Sequence, residues 1–288
     1  MISYRGNGPH RIVCLTEETT ETLYLLGEEE RIVGISGFTC RPKQAREKPK
    51  VSAFTSAKIQ TILALRPDLV IGFSDLQAGI AQELIKAGVN VVVFNQRSIA
   101  EIFETILMLA RMVAAEAAGI RLADRLRGEL AEIADAAGKF PRRPRVFFEE
   151  WNDPLISGIR WVDELLEVAG GEAIFPRLRE EQSATGRIVT PAQVAAANPD
   201  VVIASWCGRK VNKEQIRGRE NWSGVEAVRS NHIYEIKSTY ILQPGPAALT
   251  EGVRQLHAIL ARVAGGEPAA GLMPLESTDP DLKCGHRG

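Results

Sequence analysis

Short apolar runs alternate with helical patterns along most of the chain. Between most of the apolar runs, the apolar residues recur at the spacing of a helix, for example over 19–26, 59–65 and 79–87. The runs rich in β-branched residues, which predict strands, are 11–15, 31–35, 69–73, 89–94, 145–148, 201–206 and 233–236. Because parallel strands need helical crossovers, this alternation predicts the α/β fold class, with mainly parallel sheets covered by helices.

The middle of the chain has a different pattern. From residue 98 to about residue 139 there is neither a proline nor a strand signal. Ser98 and Glu101 have the spacing of a capping box, which begins a helix, and the apolar spacing that follows is helical. A break near 114–119 predicts two helices, the second of about 22 residues and therefore ~33 Å long.

The segments on either side of this helical stretch resemble each other. Pro67 and Pro199 each precede an aspartate and an apolar strand, and they lie 132 positions apart (199 − 67). Arg11 and Arg145 each begin a strand and lie 134 positions apart (145 − 11). Two similar lobes are therefore predicted. The boundaries are an N-terminal α/β lobe at 1–97, a helical linker at 98–143, a C-terminal α/β lobe at 144–265 and an extended or disordered tail at 266–288.

Several segments in a fixed order carry a family resemblance that covers about residues 10–264. They are RIVCLTEETTE (11–21), LYLLG (23–27), IVGI (32–35), LALRPDLVI (63–71), LLEVAGG (165–171), NPDVVI (198–203), QPGP (243–246) and GVRQL (252–256). With them the chain resembles the substrate-binding proteins of ABC importers that carry vitamin B12 and iron–siderophores. The resemblance implies two α/β lobes joined by a long helix, a ligand between the lobes, no catalysis, and an ABC permease as partner.

Two features depart from that family. Glu17 and Glu18 lie in the first loop, where family members usually have small residues. The start of the chain has no apolar run of the ~7–15 residues that an export signal needs. The sequence as it stands therefore predicts a cytoplasmic protein, or a periplasmic one if the true start lies upstream. The four widely spaced cysteines, expected to be reduced thiols, agree with the cytoplasm; they are Cys14, Cys40, Cys207 and Cys284.

Aromatic residues concentrate where the predicted strands end, although the chain has only 9 Phe, 4 Trp and 4 Tyr. Ligands of parallel sheets bind beyond the carboxyl ends of the strands, and rigid rings stack well on a large flat ligand. The aromatic residues at or beside these ends are Phe38, Phe54, Phe73, Trp151, Trp161, Trp206 and Tyr240. The polar candidates for the rim are Glu150, Asn152, Asp153, Arg160, Arg209, Lys210 and Gln243. From these we predict ligand contacts at Phe38, Phe54, Phe73, Glu150, Trp151, Trp161, Trp206, Arg209, Tyr240 and Gln243. The alternative for each ring is that it packs a loop against its own lobe.

The predicted function is non-catalytic binding of a macrocycle or metal chelate, with a corrinoid such as cobalamin favoured over a ferric siderophore or haem. No catalytic cofactor is expected. A second reading is a metal- or thiol-dependent enzyme that uses Glu149, Glu150 and Cys207, and metal coordination by Cys207, Cys40 or His232 stays open. A third is a carrier that hands its ligand to a cytoplasmic acceptor protein. The net charge of −1 gives no reason to expect nucleic acid, and no run approaches the ~18 apolar residues of a membrane span.

Overall fold

A computed structural model describes residues 8–268 and residue 271. Most of the tail predicted at 266–288, with Cys284 in it, lies outside the described residues. The chain divides into two compact units. Among the described residues, the first unit contains 8–96 and 100–125, and the second contains 97–99 and 126 onward.

The first unit is built around a six-stranded sheet with the order β4-β3-β2-β1-β5-β6. Only the β3–β4 pair is antiparallel; the other neighbours are parallel. The strands are β1 (Ile12–Cys14), β2 (Ile32–Ser36), β3 (Lys50–Ala53), β4 (Ser56–Ala57), β5 (Leu69–Phe73) and β6 (Val91–Phe94). All three residues of β1 and all five of β5 are buried, which explains why these central strands are continuous apolar runs.

Helices connect these strands and continue beyond them. They are α1 (Glu17–Leu26), α2 (Ile59–Ala64), α3 (Ala78–Lys86), α4 (Ile99–Met112) and α5 (Glu116–Ala137). The stretch expected to be a separate linker contributes most of α4 to the first unit, and α5 passes from the first unit to the second after Arg125. The predicted break and the length of the second helix agree with the structure, since α5 has 22 residues. An apolar core packs the sheet against the helices around Leu15, Ile62 and Leu84.

The second unit contains a five-stranded sheet with the order β11-β10-β7-β8, and β9 also pairs with β7. Its strands are β7 (Arg145–Asn152), β8 (Leu155–Ser157), β9 (Glu172–Ala173), β10 (Val201–Ala204) and β11 (Ile233–Glu235). Only the β7–β8 pair is antiparallel. The helices are α6 (Arg160–Val168), α7 (Pro191–Ala197), α8 (Lys213–Arg217), α9 (Glu226–Arg229), α10 (Ser238–Ile241) and α11 (Val253–Ala264). A π-helical turn at Ala248–Gly252 leads into α11.

Aromatic rings fill the core of the second unit. Phe147 lies edge-on to Trp222 and to Phe175, with ring centroids 6.2 and 6.1 Å apart. Trp222 is fully buried, and Trp206 belongs to the same cluster. These rings stabilise the sheet, and packing of the core accounts for their presence without a ligand.

The seven predicted strands all occur in the structure. Their ends agree with the predicted ends to within two residues, except that β7 ends four residues later than predicted. The expectation of four reduced thiols is wrong at Cys40, which is disulfide-bonded. Within the described ranges, no helix has the length and apolar character needed to cross a bilayer.

Candidate functional site

Two surfaces correspond to the predicted ligand positions, one in each unit. The first strand-end face comprises the residues at or just after the carboxyl ends of β1, β2, β3 and β5. The second comprises those at or just after the carboxyl ends of β7, β10 and β11. Because neighbouring strands in each sheet are mainly parallel, their carboxyl ends share one edge. Each face is described within its own unit, and the predicted cleft between lobes stays a prediction.

An aromatic pair forms the apolar part of the first strand-end face. The rings of Phe54 and Phe73 have centroids 6.4 Å apart, with Phe54 half-buried and Phe73 5% exposed. The buried side chain of Gln77 accepts a hydrogen bond from the Phe73 N–H and donates one to the Phe54 carbonyl, both at 2.9 Å. Phe38, after β2, is also half-buried. Gln77 therefore fixes the two backbone segments that carry this pair.

Two adjacent carboxyl groups form the polar part of the same face, at the start of α1. Glu18 is 2% exposed, and its Oε1 accepts a hydrogen bond of 2.6 Å from the Thr16 hydroxyl. Burial raises the pKa of Glu18 to about 7, and burial together with the neighbouring Glu18 carboxyl raises the pKa of Glu17 to about 8. Both groups are therefore poised to change charge near neutral pH.

On the second strand-end face, Trp151 is the most accessible of the three predicted tryptophans. It is half-buried against the core of its unit, and its Nε1–H donates to the Asp153 carbonyl at 2.9 Å. The exposed Arg209 guanidinium lies 5.5 Å from the centre of the Trp151 ring. In such an arrangement the ring can stack on a flat ligand, and the exposed cation can pair with an acidic group of that ligand.

Glu150 is an ion-pair partner in the structure. Its carboxylate contacts the Arg187 guanidinium at 2.5 and 3.2 Å. The Arg187 side chain is only 2% exposed and also donates to the Ser157 carbonyl at 2.6 Å. The same strand end therefore carries a fixed, neutralised pair, and Glu150 can still accept a hydrogen bond from a ligand because it is half-buried. Gln243 follows α10 and is half-buried, and its predicted ligand contact stays a prediction.

Three further rings with predicted ligand contacts are buried in the structure. Trp206 is 2% exposed in the core of the second unit, and its Nε1–H donates to Glu149. Trp161 is 3% exposed and donates to the Ile241 carbonyl at 2.9 Å. Tyr240 is 6% exposed. The predicted ligand contacts of these three rings, like that of the buried Phe73, stay predictions.

Glu149 has a structural role, which weakens the enzymatic reading. Its fully buried carboxylate is held by Arg219 at 2.6 and 2.8 Å and by the Trp206 ring nitrogen at 3.1 Å. A general acid or base must exchange a proton with a substrate, and this carboxylate is covered and already has three donors.

The cysteines and histidines give no metal cluster in the part of the chain that the structure describes. Cys207 is exposed after β10, whereas Cys14 is fully buried in β1, and burial raises its thiol pKa to about 12. The His232 ring stacks on Tyr234 with centroids 6.4 Å apart. Coordination of a ligand's metal by Cys207 alone stays a prediction.

Sequence reasoning missed the two arginines that neutralise the strand-end carboxylates. Arg187 lies 37 positions after Glu150, and Arg219 lies 70 positions after Glu149. No local pattern connects residues so far apart, and only the pairing of β7 with its neighbours brings the loops together. The only sequence signal was the pair of adjacent glutamates, Glu149 and Glu150, in an apolar strand, because buried carboxylates need cations nearby.

Comparison with known proteins identifies the family. Residues 12–240 match the family model described as periplasmic binding protein. The chain belongs to the periplasmic binding protein family. Among its relatives, a vitamin B12-binding protein of Vibrio parahaemolyticus is 26% identical over 242 residues, which cover 83% of this chain and 85% of the relative.

Solved structures confirm the fold of this family member. The periplasmic vitamin B12-binding protein of Vibrio cholerae has a TM-score of 0.69 at 23% identity and covers 88% of this chain and 98% of its own. A periplasmic heme-binding protein from a Roseiflexus species, in its apo form, has a TM-score of 0.75 at 25% identity and covers 89% and 100%. The α/β architecture with mainly parallel sheets, predicted from the alternation of elements, is therefore confirmed.

Proposed function

We propose that this protein is the substrate-binding component of an ABC importer and that its ligand is a corrinoid such as cobalamin. The observation that carries the proposal is the family match over 12–240. It is supported by relatives named as vitamin B12-binding proteins, which match more than four-fifths of the chain. Binding needs no chemical step by the protein.

The accessible aromatic groups suit a flat, mostly apolar ligand. In the first unit, Phe54 and Phe38 are half-buried beside the buried Phe73. In the second unit, Trp151 has the Arg209 guanidinium next to its ring. Rigid rings cover ligand area with little loss of conformational entropy, and a few polar groups then fix its orientation.

The contacts of Glu149 support a binding protein over an enzyme. An enzyme built on Glu149, Glu150 and Cys207 would need at least one carboxylate free to move a proton. Glu149 is covered and held by Arg219, and Glu150 is paired with Arg187. A non-catalytic role follows, with both carboxylates as supports of the strand ends.

A second candidate ligand is heme or a ferric siderophore. The exposed cations Arg209 and Lys210 favour it, because they can pair with the acidic groups that these ligands carry. A structural neighbour named as a heme-binding protein has the same fold. A direct comparison of ligands decides between the two candidates.

An ABC permease is the proposed partner, and the cellular location follows from that role. Import requires the protein on the outer side of the cytoplasmic membrane, whereas a carrier that hands its ligand to an acceptor protein would be in the cytoplasm. The disulfide at Cys40 favours an oxidising compartment. Fractionation of cells that express the native gene distinguishes the two: the importer role predicts the protein outside the cytoplasm, and a purely cytoplasmic protein contradicts it.

The binding proposal is tested by titrating the purified protein with cobalamin, a panel of ferric siderophores and hemin, following tryptophan fluorescence. Saturable quenching by cobalamin at one ligand per chain is expected. Trp151→Ala should weaken binding about tenfold, since stacking on an aromatic ring contributes on the order of 1 kcal/mol or more. Trp222→Phe, a change deep in the core, is the matched control and should leave affinity unchanged. No response to any of the ligands would contradict the proposal.

A further inference from the structure

The start of α1 carries a carboxylate oxygen that nothing in its surroundings satisfies. Glu18 is 2% exposed, and only its Oε1 is bonded, to the Thr16 hydroxyl at 2.6 Å. Its Oε2 is buried and has no hydrogen-bond partner. A buried acceptor of this kind costs free energy unless a donor reaches it. The Glu17 carboxyl lies next to it in the sequence, directly after the carboxyl end of β1.

Three other glutamates near the strand ends each pair with a cation, and Glu17 and Glu18 do not. Glu21, one turn along α1, pairs with Arg41 at 3.0 Å. In the second unit, Glu149 pairs with Arg219, and Glu150 pairs with Arg187. Over residues 8–268, by contrast, Glu17 and Glu18 form no ion pair. When these two carboxyl groups are ionised, no cation among the described residues pairs with them.

Uncompensated carboxylates select among ligands by charge. A ligand edge that carries primary amides offers N–H donors to a carboxylate oxygen and adds no charge. A ligand edge that carries carboxylates places like charges together without a cation between them, which costs binding free energy. Burial raises the pKa of Glu17 to about 8 and that of Glu18 to about 7, so both groups are fully ionised only above neutral pH.

We propose that Glu17 and Glu18 act as a selectivity element that favours macrocycles with an uncharged, amide-bearing edge and disfavours those with a carboxylate edge. The half-buried Glu17 would accept a hydrogen bond from a ligand amide, and the buried Glu18 beside it would add negative charge to the site. The inference rests on the proposed function, since it concerns the ligand of that same site. It favours corrinoids, whose ring carries amide side chains, over heme, whose edge carries two propionates.

The test compares ligands that share a ring and differ at the edge. Dicyanocobinamide carries amides where dicyanocobyrinic acid carries carboxylates, and hemin can be compared with its diamide. Affinities are measured by calorimetry at pH 9, where Glu17 and Glu18 are both ionised in the free protein. The wild type should prefer the amide member of a pair by about tenfold or more.

Two isosteric variants connect this preference to the two residues. Glu17→Gln and Glu18→Gln keep the size and an acceptor oxygen but remove the charge, so each should reduce the preference at least threefold. The matched control is Glu30→Gln, an exposed carboxylate just before β2 and hence at the opposite edge of the sheet. It should keep the wild-type preference. Circular dichroism verifies that each variant is folded, and the half-buried Glu17 provides a folded variant if the buried Glu18 does not tolerate the change.

Failure of the inference differs from failure of the proposed function. If both members of a pair bind with equal affinity, or if the preference survives in both glutamine variants, the selectivity role is overturned and the binding role stands. If neither pair binds at all, the binding function is overturned together with the selectivity that depends on it.

Discussion

Arg219 holds the carboxylate of Glu149 with both of its terminal guanidinium nitrogens, at 2.6 and 2.8 Å. Glu149 is fully buried, and its Oε1 also accepts from the Trp206 ring nitrogen. The Arg219 guanidinium lies 4.7 Å from the centre of the Trp222 ring, so the pair is continuous with the core of the second unit. The position of one strand-end face thus depends on a charge that is neutralised inside the protein.

Arg219→Met is expected to lower the free energy of unfolding by about 3–5 kcal/mol, because it leaves a buried carboxylate without a counter-charge. Urea denaturation measures the effect. Adding Glu149→Gln should recover part of the loss, since an uncharged amide oxygen still accepts from Trp206. Arg209→Met, at an exposed position, should change stability by less than about 0.5 kcal/mol. Equal effects of the two arginine changes would contradict the assigned role of Arg219.

The pH dependence of stability is predicted from Glu17. Its pKa is raised from 4.5 to about 8 in the folded protein, so the folded state holds this proton more tightly than the unfolded state does. Stability associated with this group is therefore complete below about pH 4.5 and is lost as the pH rises towards 8. Glu18, with a pKa raised to about 7, acts in the same direction over a narrower range.

Glu17→Gln should therefore raise the melting temperature relative to the wild type at pH 9 and have little effect at pH 4.5. Thermal unfolding at the two pH values, followed by circular dichroism, measures the difference. The exposed Glu30→Gln is again the control and should follow the wild type at both. A Glu17→Gln variant that gains no stability at pH 9 would show that the Glu17 carboxyl is not buried as described.

The two free thiols among the described residues should react very differently. Cys207 is exposed and is expected to be alkylated by iodoacetamide in the native protein, whereas Cys14 is fully buried with a pKa of about 12 and should react only after unfolding. Peptide mass spectrometry locates the label. Cys207→Ser should keep ligand affinity unless the thiolate coordinates the ligand's metal, in which case the absorption bands of the bound chelate shift.

Gly252 allows the π-helical turn to contact the backbone of Tyr240. A methyl group at this position would lie 2.3 Å from the Tyr240 carbonyl oxygen, so Gly252→Ala must displace α10 or the turn. We expect a loss of about 1–3 kcal/mol in the free energy of unfolding. Gly224→Ala is the matched control, because nothing lies within 4 Å of the added carbon. Equal stability of the two variants would contradict the described packing.

The sequence pattern predicts a strand most clearly where the strand is buried on both faces. β5 and β10 are buried at every position and therefore appear as unbroken apolar runs. The strands that were missed are short, and two of them lie at the sheet margin: β4 with two residues and β8 with three. Pairing with a neighbour defines these segments, and no local periodicity does so over so few residues.

The candidate site was predictable only in part, because the position of a ring does not reveal its exposure. Trp151 and Trp206 both follow apolar strands, yet Trp151 is half-buried and Trp206 is in the core. The difference arises from Glu149, which accepts from the Trp206 ring nitrogen, and from Arg219, which neutralises that carboxylate. Such a three-residue arrangement spans 70 positions in sequence and is visible only in the folded chain.

Co-elution of ligand and protein tests the central claim most directly. The protein is incubated with cobalamin, passed over a size-exclusion column, and the visible absorbance of the protein peak is compared with its absorbance at 280 nm. Binding predicts corrinoid absorption in the protein peak at one ligand per chain. A protein peak that stays colourless after incubation with cobalamin, ferric siderophores and hemin in turn would contradict the claim that this family member binds a macrocycle or metal chelate.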